Sequence, residues 1–238
     1  MNRAILVLGG SGTGKSSSIG TIPELGIQGL PPEETALINV KNKPLPFRGS
    51  MKKYNKPISQ GGNYACINSA EIIVKVIVSL VARQDIKYIV LDDAQYIMSD
   101  EFMAKANRTG FDKYNEIAKH FFDILQVSCS MLRDDQTFFM LSHSEVNEAE
   151  RVYKMKTIGQ MIDQKIVPEG LFTVVLHTYG EYNVQEKTMH RYFVTNTMYD
   201  ENGIRIPAKS PVGMFNEVLI PNDLGIVAKA FDNYFNEV

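Results

Sequence analysis

Gly9, Gly14, Lys15 and Ser16 stand in the spacing Gly-x-x-x-x-Gly-Lys-Ser, which lets a short backbone loop hold phosphate. Gly9, Gly10, Gly12 and Gly14 let the chain curl so that successive N–H groups, those of Ser11 and Thr13 in the same loop included, point inward at phosphate oxygens. The Lys15 ammonium is expected to reach the β- and γ-phosphates, the Ser16 hydroxyl to ligate Mg²⁺, and Ser17 to meet the α-phosphate. The five apolar residues Ala4 to Leu8 lead into the loop as a strand. A short helix is expected from Ser16 to about Ile22, stopped by Pro23. Its free N–H groups and positive dipole end would add to the anion site.

A second group of chemically capable residues follows Ile86 to Leu91, an apolar run that ends in Asp92-Asp93. Carboxylates at the end of a buried parallel strand are where a phosphate-loop protein anchors Mg²⁺. Asp92 is therefore expected to hold the metal, and Asp93 to polarise the attacking water. Glu145 competes for that second role. Ser142 and His143 end the strand expected beside the Asp92 strand, which would place them near the γ-phosphate. Transfer of a phosphoryl group also calls for a further cation, and Arg108, Arg133, Arg151, Lys154, Lys156, Arg205 and Lys209 are the candidates. A guanine pocket would want Asn-Lys-x-Asp late in the chain, whereas Asn42-Lys43-Pro44-Leu45 comes early and lacks the Asp.

Several elements must hold these groups in place. Thr35 to Val40, Tyr64 to Ile67, Thr137 to Leu141 and Leu171 to Thr178 read as further strands. Val184 to Asn196 reads as a strand closing a hairpin, and Asn202-Gly203 as a turn. Helical spacing of apolar residues marks 70–83, 111–133 and 223–235, with part of 154–166. The expected architecture is α/β: a mostly parallel central sheet flanked by helices, in a single domain over 1–238, with a C-terminal β-hairpin addition.

Composition narrows the partners. A formal charge of -2 over 238 residues argues against a globally basic nucleic-acid binder. The segment 41–56 is an exception: Lys41, Lys43, Arg48, Lys52, Lys53 and Lys56 with no acidic residue. With Phe47 and Tyr54 interleaved, it could track single-stranded DNA by phosphate contact and base stacking. Facing an acidic protein surface would use the same charges. Cys66 and Cys129, the only cysteines, are expected as buried free thiols in a reducing compartment. No apolar run approaches the length of a membrane span, and a cytoplasmic protein is expected.

The segments 9–17, 39–49, 89–98, 141–145 and 209–215 together resemble phage-encoded nucleotide-binding proteins with a RecA-like, AAA-type P-loop NTPase core. The lysine-proline stretch after Asn39 and the run Asp92-Asp93-Ala94-Gln95-Tyr96 carry that resemblance. Some members of this broader group resemble single-strand annealing recombinases. The resemblance implies ATP, Mg²⁺, single-stranded DNA, a single-strand-binding protein as partner, a homo-oligomer, and the host bacterial cytoplasm. In AAA-type ATPases the residue after the metal-binding Asp is usually Glu, and here it is Asp93. RecA-like enzymes often carry a glutamate where Asn39 ends the second strand. The leading expectation is an ATP-hydrolysing factor acting on single-stranded DNA in recombination or replication. The alternative is a nucleotide-dependent switch or loader acting on a protein, and a small-molecule phosphotransferase has least support.

Overall fold

The computed structural model describes residues 1–236. Its centre is a sheet whose main path runs β11-β8-β7-β1-β5-β4-β2-β3. The strands are β1 (Ala4–Gly9), β2 (Thr35–Asn39), β3 (Tyr64–Cys66), β4 (Tyr88–Asp92), β5 (Thr137–Asn147), β6 (Val152–Met155), β7 (Val174–Asn183), β8 (Thr188–Val194), β9 (Met198–Tyr199), β10 (Arg205–Ile206) and β11 (Leu219–Pro221). From β3 to β7 every neighbouring pair is parallel. β8 then turns back against β7, and β11 lies antiparallel to β8. The α/β architecture and mostly parallel sheet expected of a RecA-like P-loop chain are therefore present, with the hairpin at its carboxyl-terminal flank.

Parallel strands buried on both faces read as continuous apolar runs rather than as alternation. In β1, Ala4, Leu6 and Leu8 enter one core, and Ile5 and Val7 enter the other. The first core receives α2 (Ala70–Val81), α3 (Gln95–Ala104) and α4 (Asp112–Ser130) through Ile73, Ile77, Ile97, Met98, Phe121 and Leu125. The second receives α5 (Leu224–Asn236) through Val227 and Phe231, together with Leu45, Phe47 and Tyr54 from the segment after β2. That segment contains one short helix, α1 (Ser50–Lys53).

The structure corrects several sequence expectations. The helix expected from Ser16 to about Ile22 is only a 3-10 turn, Ser16–Ile19. The next α-helical bond from the Ile19 carbonyl would need an N–H at Pro23, which has none. Leu30 N–H donates to that carbonyl instead, at 2.8 Å. Gly20 then lies against the Phe47 ring, where a Cβ would come within 2.3 Å of it. α3, Gln95–Ala104, has no counterpart among the helices expected from sequence. β5 runs on through Ser142, His143 and Glu145 to Asn147, pairing with β6 beyond the central sheet. The partly helical segment expected over 154–166 divides into the end of β6 and one π-helical turn, Met161–Ile166. Cys66 is exposed and Cys129 half-buried, so neither is a buried thiol, though both are free. Among the described residues, no helix is long and apolar enough to cross a membrane.

Candidate functional site

Ligands of open parallel sheets sit beyond the carboxyl ends of the strands, and here those ends gather the chemically capable residues. Gly9 at the end of β1 is level with His143 on β5, and Asp92 at the end of β4 is level with Asn39 on β2. β5 therefore stands between the glycine-rich loop and the Asp92 strand, and it carries Ser142 and His143 to the site.

A cavity of about 360 Å³ opens there, lined by Ser11, Gly12, Gly14, Lys15, Ser16 and Ser17 on the loop side. Asp92, Asp93 and His143 line it from β4 and β5, Lys43 from the segment after β2, and Arg191 from β8. Gly12 and Gly14 have φ of 77° and 104°, a region in which a side chain would be strained. Gly14 is also crowded, since a Cβ would come within 2.8 Å of Arg191 Cδ and 2.9 Å of Asn222 Oδ1. Gly9, Gly10 and Thr13 serve the loop from its other side, where they line a separate, larger cleft. Thr178 Oγ1 donates to Thr13 Oγ1 at 2.6 Å, which ties the loop to β7.

Lys15 is buried, and its Nζ donates to the carbonyl oxygens of Gly9 (2.8 Å) and Gly10 (2.7 Å). Burial pulls its pKa down to about 8, against the opposing pull of Asp92 and Asp93. An ammonium held this way gains from an added anion, because phosphate charge would offset the desolvation. Ser16 Oγ donates to Asp92 Oδ1 at 2.9 Å. Burial, with the neighbouring Asp93 charge second, pushes the Asp92 carboxyl up to about 6. A cation placed beside Asp92 would relieve that cost.

The donor set suits Mg²⁺. A hydroxyl and a carboxylate, both hard oxygen donors, are within hydrogen-bond distance of each other at the cavity wall. Among the described residues, no cluster of three or more His, Cys, Asp or Glu side chains could hold a metal by itself. Mg²⁺ binds through one or two protein oxygens together with substrate phosphates and water, and Ser16 and Asp92 could supply those oxygens.

Asp93 has φ of 64°. A non-glycine residue in this region carries strain, and Asp tolerates it better than most. Its Oδ2 accepts from Lys43 Nζ at 2.9 Å, and its Oδ1 lies 3.7 Å from His143 Nε2. Burial, followed by the Lys15 charge, holds the His143 imidazole below its usual pKa. Gln95, buried at the start of α3, orders the β5 side: its Oε1 accepts from His143 N (3.1 Å) and Ser142 Oγ (3.3 Å).

Of the site residues expected from sequence, Glu145 is not in this cavity. β5 has left the central sheet by that point, and Glu145 lines the larger cleft, 3.6 Å from Lys154. None of the expected cations lines the cavity either. Arg108 pairs with Glu116, Arg133 with Asp135, and Lys154 with Asp163. The cations that do line it besides Lys15 are Lys43 and Arg191. Arg191 is on a strand 176 positions beyond Lys15, and only the β1-β7-β8 pairing brings it near. No local pattern marks it. Lys43, a residue of the expected DNA-binding segment, lines this cavity and pairs with Asp93.

The basic segment differs from expectation in two further ways. Phe47 and Tyr54 are buried, at 8% and 2% exposure, so neither can stack on a base. Lys41 pairs with Asp100 at 2.9 Å. Arg48, Lys52 and Lys56 remain exposed and Lys53 half-buried, without an ion-pair partner among the described residues.

No protein-family model matches the chain, and no curated protein matches it in sequence. Among solved structures, it is similar to a KaiC-like protein of the hyperthermophilic archaeon Pyrococcus horikoshii OT3. The identity is 15% and the TM-score 0.47, over 81% of this chain and 78% of the other.

Proposed function

We propose that this chain binds ATP with Mg²⁺ and hydrolyses it. The observation that carries the reading is the convergence of Lys15, the Ser16–Asp92 pair and Asp93 on one cavity floored by the glycine-rich loop. Lys15 and the loop amides would hold the β- and γ-phosphates. Ser16 and Asp92 would hold Mg²⁺, which when bound neutralises charge on the phosphates. Asp93, with His143 beside it, would orient the attacking water. Arg191 comes from the β8 flank of β1, on the other side of the loop from Asp92 and Asp93, and would meet the α-phosphate and nucleoside end.

ATP use would serve DNA recombination or replication through single-stranded DNA, with Arg48, Lys52, Lys53 and Lys56 as the contact. With Phe47 and Tyr54 buried, such contact would be to phosphates alone, which predicts weak sequence preference and a steep salt dependence. The same burial favours a second reading, in which these cations meet an acidic protein and ATP switches that contact. ATP turnover measured with and without single-stranded DNA, over a salt series, separates the two. Stimulation that fades with salt, and with Arg48, Lys52, Lys53 and Lys56 neutralised, supports DNA. Turnover indifferent to DNA supports the protein partner, and no turnover or ATP binding at all rejects both.

A further inference from the structure

Of the two cations in the phosphate cavity that the glycine-rich motif does not account for, Lys43 is poised on the catalytic candidate itself. Lys43 belongs to the loop that follows β2, and Asn39 sets the path of that loop. Asn39 Nδ2 donates to the Lys43 carbonyl at 2.7 Å, and its Oδ1 accepts from Lys41 N–H at 3.2 Å. Between them Asn42 turns through the left-handed region, at φ of 52°. The Lys43 ammonium then stands 2.9 Å from Asp93 Oδ2 and 5.0 Å from the centre of the Tyr96 ring. Its hydrogen bond to Asp93 raises its pKa, and its charge adds to the forces that lower that of Lys15. Two ammonium groups therefore face the same space, with one anchored to backbone carbonyls and the other to a carboxylate.

In this arrangement Asp93 Oδ2 accepts from Lys43 and Oδ1 faces His143 at 3.7 Å, so Lys43 competes with an incoming water for the carboxylate. The Lys43 side chain is 58% exposed on a flexible stem, while the Asp93 carboxylate is only 10% exposed and fixed by its backbone. The mobile partner is the lysine. A terminal phosphoryl group offers several anionic oxygens in place of one carboxylate oxygen.

We propose that Lys43 is a same-chain ligand of the γ-phosphate: it leaves Asp93 when a nucleoside triphosphate enters and so frees Asp93 to orient the attacking water. This inference rests on the nucleotide-binding reading. In the step that follows, the water oxygen bonds to the γ-phosphorus, and the bond from that phosphorus to the β–γ bridging oxygen breaks. The electron pair of the broken bond stays on the diphosphate, and one proton passes to solvent. Once inorganic phosphate departs, Lys43 returns to Asp93. On this proposal a diphosphate, lacking the γ-phosphoryl group, leaves the ion pair closed.

The test compares wild type, Lys43→Met and Lys43→Arg in three measurements: affinity for ADP, affinity for a non-hydrolysable ATP analogue, and steady-state ATP turnover, all with Mg²⁺. Lys43→Met is expected to keep ADP affinity within about twofold, which also shows that it folds. It should lose roughly 10–100-fold in analogue affinity, the scale of one charge-assisted hydrogen bond, and at least about tenfold in turnover. Lys43→Arg should recover part of both. Equal effects on ADP and analogue, no effect on either, or faster turnover in Lys43→Met would overturn the inference while leaving nucleotide binding intact. Absence of nucleotide binding in wild type would instead reject the underlying reading and this inference with it.

Discussion

Two buried groups near the site, His177 and Asp92, should give the empty protein opposed pH dependences that substitution can separate. His177 is 2% exposed on β7, and its Nε2 has no hydrogen-bond partner. Burial holds its pKa at about 4, against 6.5 for an ordinary histidine. Between those values the unfolded chain binds the proton and the folded chain does not. The stability contributed by neutral His177 is thus fully present above about pH 6.5 and lost as pH falls toward 4. At about 1.4 kcal/mol per pH unit, that gap amounts to roughly 3 kcal/mol. Asp92 has the opposite sign, since its pKa rises from 3.8 to about 6. Keeping it ionised, against burial and the Asp93 charge, costs on the order of 3 kcal/mol above pH 6, and the cost is relieved as pH falls toward 3.8. Urea unfolding between pH 6.5 and 4.5, in chelator and without nucleotide, should therefore show His177→Gln gaining stability relative to wild type as pH falls. Asp92→Asn should lose it. The reasoning is refuted if His177→Gln tracks wild type across the whole range.

Further outcomes follow from the loop and its surroundings. Arg191→Met should raise the KM for ATP roughly tenfold and leave kcat within about twofold, because a cation at the nucleoside end adds to ground-state and transition-state binding alike; a selective loss of kcat would move Arg191 to the γ-phosphate end. Gly20→Ala should cost about 1–3 kcal/mol in chemical denaturation, since its Cβ would displace the Phe47 ring. Unchanged stability would mean that Phe47 moves aside freely.

The parts of the site that were legible in the sequence are those whose signal is local. The apolar run into Gly9, the Gly14-Lys15-Ser16 spacing and the run ending in Asp92 each combine strand and chemistry within about fifteen residues, and the fold brings them together. The illegible parts depend on pairing between distant strands or on one competing hydrogen bond. Arg191 arrives only because β8 returns along β7. The helix after Ser16 ends early because Pro23 has no N–H to offer. Phe47 and Tyr54 looked free to stack on bases because their neighbours are basic, yet the core beneath α5 takes both rings. Asn-Lys-Pro after β2 suggested a surface patch, while Asn39 turns that loop inward and sets Lys43 on Asp93.

The most direct test of the central claim is calorimetric titration of wild type, Lys15→Ala and Asp92→Asn with ATP, with and without Mg²⁺, alongside turnover of the same samples. Wild type should bind Mg²⁺-ATP and hydrolyse it. Lys15→Ala should lose roughly a hundredfold or more in affinity, the scale of charge-assisted bonds to two phosphates. Asp92→Asn should still bind ATP but without a Mg²⁺-dependent gain and without turnover. Wild-type affinity in Lys15→Ala, or sustained hydrolysis in Asp92→Asn, would contradict the placement of the triphosphate between the glycine-rich loop and the β4 carboxylates.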